Sequence, residues 1–122
     1  MNTHPTLFRL SWITLSAIGA ATLAFGLITL IAPPSGDRGL WRADSLATIG
    51  TGLFGLLISL FAFRARQPWA WWALWFYPAF WLTHFLANLP PAKDHIHQIL
   101  FLVLSLAALC VSIPQTDRYP RL

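Results

Sequence analysis

Charge is what this chain has least of. Only 10% of its 122 residues are Asp, Glu, Lys or Arg, and glutamate is missing altogether. A soluble domain of ordinary composition carries about a quarter charged side chains, so these residues do not furnish the surface of a water-soluble globule. Cysteine occurs once, as Cys110, which excludes an internal disulfide and any CxxC redox pair. Lying inside an apolar run, it is expected to be an inert buried thiol. The basic residues stand in ones and twos with no stripe or patch, so a pI near 10.3 does not indicate a nucleic-acid partner.

Long apolar runs take the place of charge. Residues 10–36, 45–63, 67–92 and 95–116 contain no Asp, Glu, Lys or Arg. About 20 mostly apolar residues suffice to cross a bilayer core of about 30 Å. Four spans are therefore expected, near 8–32, 44–64, 69–89 and 95–113, in one transmembrane domain over 1–122. The first run exceeds the roughly 7–15 residues of a signal-peptide core, so it is expected to be retained as a span. Pro33-Pro34, Pro68, Pro90-Pro91 and Pro114 fall where helices should start or stop. Short connections make successive helices antiparallel neighbours. The expected fold is thus all-α, an up-down four-helix bundle in the lipid bilayer.

Orientation follows from the scattered basic residues. With the N-terminus inside, Arg9, Arg64, Arg66, Arg118 and Arg121 are cytoplasmic, against Arg38, Arg42 and Lys93 outside. That bias predicts a multi-pass protein of the cell inner membrane with both termini in the cytoplasm, with dual topology as the alternative.

Five of the seven tryptophans crowd into "WAWWALWFYPAFWLTHF", residues 69–85. At about 100° per residue, Trp71, Trp72 and Trp75 share one side with Leu82 and Leu86. Trp69, Trp71, Trp72 and Trp75 are expected to form an interfacial belt beside Arg64 and Arg66, and Trp12 and Trp41 read the same way at other span ends. Mid-span, Pro78 removes a backbone bond to Leu74 and should kink the helix. Tyr77, Trp81, His84 and Asn88 form the opposite face.

Every helix carries a small or polar stripe. On the second it runs through Asp44, Thr48, Thr51, Gly52, Gly55, Ser59 and Ala62, with Leu46, Leu53, Leu57, Leu60 and Phe61 on the lipid side. On the first it is Ser11, Gly19, Thr22, Gly26 and Thr29, and on the fourth Asp94, Gln98, Phe101, Ser105 and Ser112. Close helix packing accounts for the small residues. It accounts less easily for Asp44, His84, Asn88, Asp94, His95, His97 and Gln98, which gather at the outer end, since ionisable groups in spans face a cavity or a partner.

Asp44 and Asp94 each stand where a helix N-cap is expected. The sharpest expectation pairs His84 with a carboxylate, Asp44 before Asp94. Together with Tyr77, Trp81, Asn88 and Gln98, these residues make a candidate ligand pocket. A metal or haem would draw on His84, His95 and His97. Because i and i+2 histidines point to different faces, no spacing here is diagnostic, and no cofactor is assigned.

Three functional readings follow. One is a bundle binding an apolar or amphipathic ligand at its outer mouth, or serving a membrane-protein partner. Another is a membrane enzyme or metal or haem protein using His84 with Asp44 or Asp94. The third is a transporter or channel subunit assembled as a homo-oligomer. Small multidrug transporters need a first-span glutamate, fluoride channels an embedded first-span arginine, and vitamin K reductase-like proteins paired cysteines. None is present. Four spans with "GLWRADSLATIGTGLFGL" in the second and "WAWWALWFYP" in the third resemble small bacterial membrane proteins of the DoxX-like and related unknown-function type. That resemblance implies fold and location, and no catalytic residue.

Overall fold

The computed structural model describes residues 5–87 and 96–113, which are helical apart from short turns. Helix α1 spans Pro5–Ile31, starting on a proline whose missing N–H costs nothing in a first turn. It ends before Pro33, which disfavours helical backbone in the residue preceding it. Gly36 then adopts φ +130, a conformation open chiefly to glycine, and turns the chain toward Asp37.

Helix α2 spans Arg38–Leu57 and continues as a π-helix over Ile58–Phe63, so it begins a turn and a half before the expected residue 44. Its N-cap is Asp37, whose Oδ1 accepts from Gly39 N at 2.8 Å and Leu40 N at 3.2 Å. Asp44 is therefore not a cap. The cap falls at Asp37 because the glycine turn presents that carboxylate to the first free amides. In the π-helical end, Arg64 N reaches back five residues to Ser59 O at 3.1 Å. Arg66, at φ 59, closes it: Arg66 N bonds Phe63 O at 2.8 Å and Gln67 N bonds Ala62 O at 3.0 Å. This is the paired bonding of a left-handed helix stop.

The third expected span is two helices, α3 (Pro68–Leu74) and α4 (Phe76–Leu86), joined at Trp75. Pro78 explains the break, since its ring crowds the carbonyl of Leu74 and offers no N–H to it. Helix α5 covers Ile96–Val111.

Two helices, Pro5–Ile31 and Arg38–Phe63, are long and apolar enough to cross a membrane. The third expected span is divided, and α5 reaches 16 residues within the described part, short of the roughly 20 that a span needs. The outside of these helices is apolar: Phe54, Phe61, Trp72 and Leu86 are all well exposed. So are Leu46, Leu53 and Leu57, on the side of α2 expected to face lipid.

Helix α1 packs along α2 and α5, α4 packs on α5, and α3 packs on the π-helical end of α2. The α1–α2 seam is made by the expected glycines. A Cβ on Gly26 would lie 2.8 Å from Ile49 N, and one on Gly52 would lie 2.7 Å from the Leu23 Cα. The apolar core sits toward the Arg64 end, around Leu15, Ile18, Phe63, Trp71, Leu74, Tyr77 and Leu109.

Three side chains depart from expectation. Trp71 is buried and donates its Nε1–H to Leu109 O at 3.0 Å, and Trp41 is buried as well, so neither joins a lipid belt. The reason is the break at Trp75 for the first and the earlier start of α2 for the second. Trp69 and Trp72 are exposed as a belt requires. Cys110, expected buried, is exposed on the outer face of α5.

Candidate functional site

The polar residues of α1, α2, α4 and α5 meet at the end away from the apolar core. Thr29 Oγ1 and Ser45 Oγ share a hydrogen bond of 2.8 Å across the α1–α2 seam. One residue before Ser45, Asp44 lies inside the helix, its carboxylate freed from capping. His84 reaches it from α4: Nε2 stands 3.1 Å from Asp44 Oδ1. Both side chains are largely out of solvent, His84 at 9% and Asp44 at 15% exposure. The expected pairing with Asp44 is present.

The second ring nitrogen decides what the pair can do. His84 Nδ1 lies 3.2 Å from Phe80 O, one turn back on α4. A carbonyl only accepts, so that contact is a hydrogen bond in the tautomer with its proton on Nδ1, whereas with the proton on Nε2 the ring donates to Asp44.

Aromatic rings wall the pair in. Phe80 lies 4.2 Å from the His84 ring, centroid to centroid, and Trp81 5.7 Å. Trp81 also meets His97 of α5 edge-on at 5.9 Å, and Phe25 of α1 closes on His97 at 5.7 Å. Gln98 is fully buried beside this group on α5. Trp81 is buried with its Nε1 making no hydrogen bond among the described residues. Tyr77 shares the buried face of α4, but its hydroxyl turns toward Gly19 and Gly55, away from His84. Asn88, Asp94 and His95 lie outside the described residues. Among those described, no three His, Cys, Asp or Glu side chains gather as a metal site would require.

A cleft of about 490 Å³ opens between α2 and the α3–α4 pair, lined by Ala47, Gly50, Phe54, Ala73, Tyr77 and Phe80 among others. Helices α2 and α4 are not among the closely packed pairs, and the cleft is the space left between them. Asp44 and Ala47 are neighbours on one face of α2, as are Phe80 and His84 on α4. Ala47 and Phe80 line the cleft, and Asp44 and His84, one turn away from them on the same two helices, do not. Sequence reasoning missed the cleft and the Phe80 carbonyl. The signal for the first is the pair of small residues Ala47 and Gly50 beside the Thr51–Gly55 stripe of α2, and for the second the i, i−4 spacing from His84.

No protein-family model, curated protein or solved structure matches this chain. Nothing in these comparisons ties it to DoxX-like proteins, and its function has to be argued from the site itself.

Proposed function

We propose that the chain is a small multi-pass membrane protein that acts on an amphipathic small molecule. The molecule's apolar part lies in the α2–α4 cleft, and His84 with Asp44 binds its polar end and exchanges a proton with it. The observation that carries this reading is the His84–Asp44 contact, held out of solvent with both ring nitrogens against acceptors. A buried acid–base pair beside a concave apolar site is the ordinary form of a catalytic or binding centre. This favours a membrane enzyme using His84 and Asp44 over a passive bundle. The reading further takes all four helical segments as spans, with both termini in the cytoplasm and the pair near the outer surface.

Comparative analysis of apolar extracts tests it. Membranes from cells producing the wild-type chain should contain an amphiphile chemically changed, or enriched with the purified protein, relative to cells producing His84→Gln at equal level. Extracts and co-purified amphiphiles that are the same for both would defeat the proposal.

A further inference from the structure

We infer that the Arg64 end of the bundle binds an anionic phospholipid with an uncharged head group, its phosphate set between Arg9 and Arg64 beside Trp12. This goes beyond the proposed function and shares with it only the membrane location. Arg9 and Trp12 stand three residues apart on one face of α1, and the Arg64 guanidinium lies over the Trp12 ring at 5.0 Å. Two cations from different helices therefore flank one indole. Arg66, at the left-handed stop, lies over Phe8 at 4.2 Å and adds a third positive charge to this end.

The aromatic platforms are fixed. Phe8 and Trp12 both pack against the apolar core, and Phe8 meets the Phe63 ring at 5.2 Å. Contact with a ring occupies the face of a guanidinium and leaves its N–H edges for phosphate oxygens. Arg9 and Arg64 are exposed, and neither has a carboxylate partner among the described residues. The acids there, Asp37 and Asp44, belong to the other end of α2. Asp44 is about 30 Å from Arg64 at 1.5 Å per residue.

Charge chooses the head group. Arginines without a carboxylate favour a phosphate, and an ethanolamine or choline on that phosphate would bring a further cation against them. A glycerol head carries no charge and leaves the phosphate to the arginines. The surface below chooses a lipid over a soluble phosphate ester. Ile13, Ala17 and Ala20 are exposed on α1, within about 80° of Arg9 around the helix, and offer an apolar track for an acyl chain. Trp69 and Trp72, exposed at the same end, mark the level at which head groups lie.

Native mass spectrometry of the full-length protein tests this, after release from nanodiscs of phosphatidylglycerol and phosphatidylethanolamine with the same acyl chains. One phosphatidylglycerol should be retained about tenfold over phosphatidylethanolamine, the ratio one charge-assisted hydrogen bond supplies. Arg9→Gln and Arg64→Gln should each weaken that preference, and together they should abolish it. Arg38→Gln, at the opposite end of α2, and His84→Gln should leave it unchanged. So should Gly50→Leu, which fills the α2–α4 cleft where an added Cβ meets nothing within 4 Å. A preference that survives the double variant, or falls equally with Arg38→Gln, would overturn the site. Loss with Gly50→Leu alone would move the lipid to the cleft and overturn it as well. Displacement of the lipid by excess glycerol phosphate would replace it with a soluble ligand. A protein that stays monodisperse without detergent or lipid would remove the membrane location, and the proposed function with it. Every other failure falls on this inference alone.

Discussion

Tyr77 of α4 lays its phenol against the bare backbone of Gly55 on α2, and its hydroxyl enters the notch between that residue and Gly19 of α1. The hydroxyl is buried and meets no hydrogen-bond partner among the described residues. An unsatisfied buried hydroxyl costs about 1–3 kcal/mol. Tyr77→Phe should therefore be as stable as the parent, or more stable by about 1 kcal/mol, in a detergent unfolding titration. Gly55→Ala should lose about 1–3 kcal/mol by overpacking the ring. A marked loss with Tyr77→Phe would mean that the hydroxyl has a partner after all.

The glycine seam makes a graded prediction. Gly52→Leu should destabilise by about 1–3 kcal/mol, because its side chain would run into the backbone of Leu23. Leu57→Ile, on the exposed side of α2, and Gly50→Leu should change stability little. Equal unfolding midpoints for Gly52→Leu and the parent would show that α1 and α2 do not pack along this line.

A double-mutant cycle addresses the polar end. Asp44→Ala and His84→Ala should each cost about 1–3 kcal/mol, since each leaves a buried polar group without its partner. Together they should cost less than the sum, by about 0.5–3 kcal/mol. Additive losses would mean that the 3.1 Å contact contributes nothing to holding α4 against α2.

Cys110 is the chain's one cysteine and is exposed on α5, which makes it a native reporter of what surrounds that helix. If α5 spans the bilayer, an apolar maleimide should modify Cys110 in intact vesicles and a charged, membrane-impermeant reagent should not. Rapid modification by the charged reagent in intact vesicles would place this face in water.

Orientation is open to reporter fusions. Arg64 lies over Trp12 at 5.0 Å and Arg66 over Phe8 at 4.2 Å, so basic and aromatic residues gather at the end where α1 begins, the usual composition of an interfacial anchor. A C-terminal reporter that works only in the cytoplasm should be active, and one that works only after export should be silent. The reverse result would invert the topology.

What the sequence by itself determined was helical periodicity. Helical spacing sorted α2 into the Gly52–Gly55–Ser59 side and the Leu53–Leu57–Phe61 side, and the structure buries the first and exposes the second. The pairing of His84 with Asp44 was legible for the same reason, because two polar faces at similar depth in antiparallel helices have few other places to go. Local competition hid the ends of elements. Asp37 and Asp44 both suited an N-cap, and only the Gly36 turn, at φ +130, selects Asp37. Pro78 announced a kink, but how far the break would turn Trp71 inward depended on Leu109, 38 residues away. The cleft left only Ala47 and Gly50 as its trace in the sequence. It exists because glycine draws α1 and α2 together while α4 packs on α5, so a gap opens between α2 and α4. A gap belongs to the arrangement of four helices and to no residue, and only the tertiary structure could decide it.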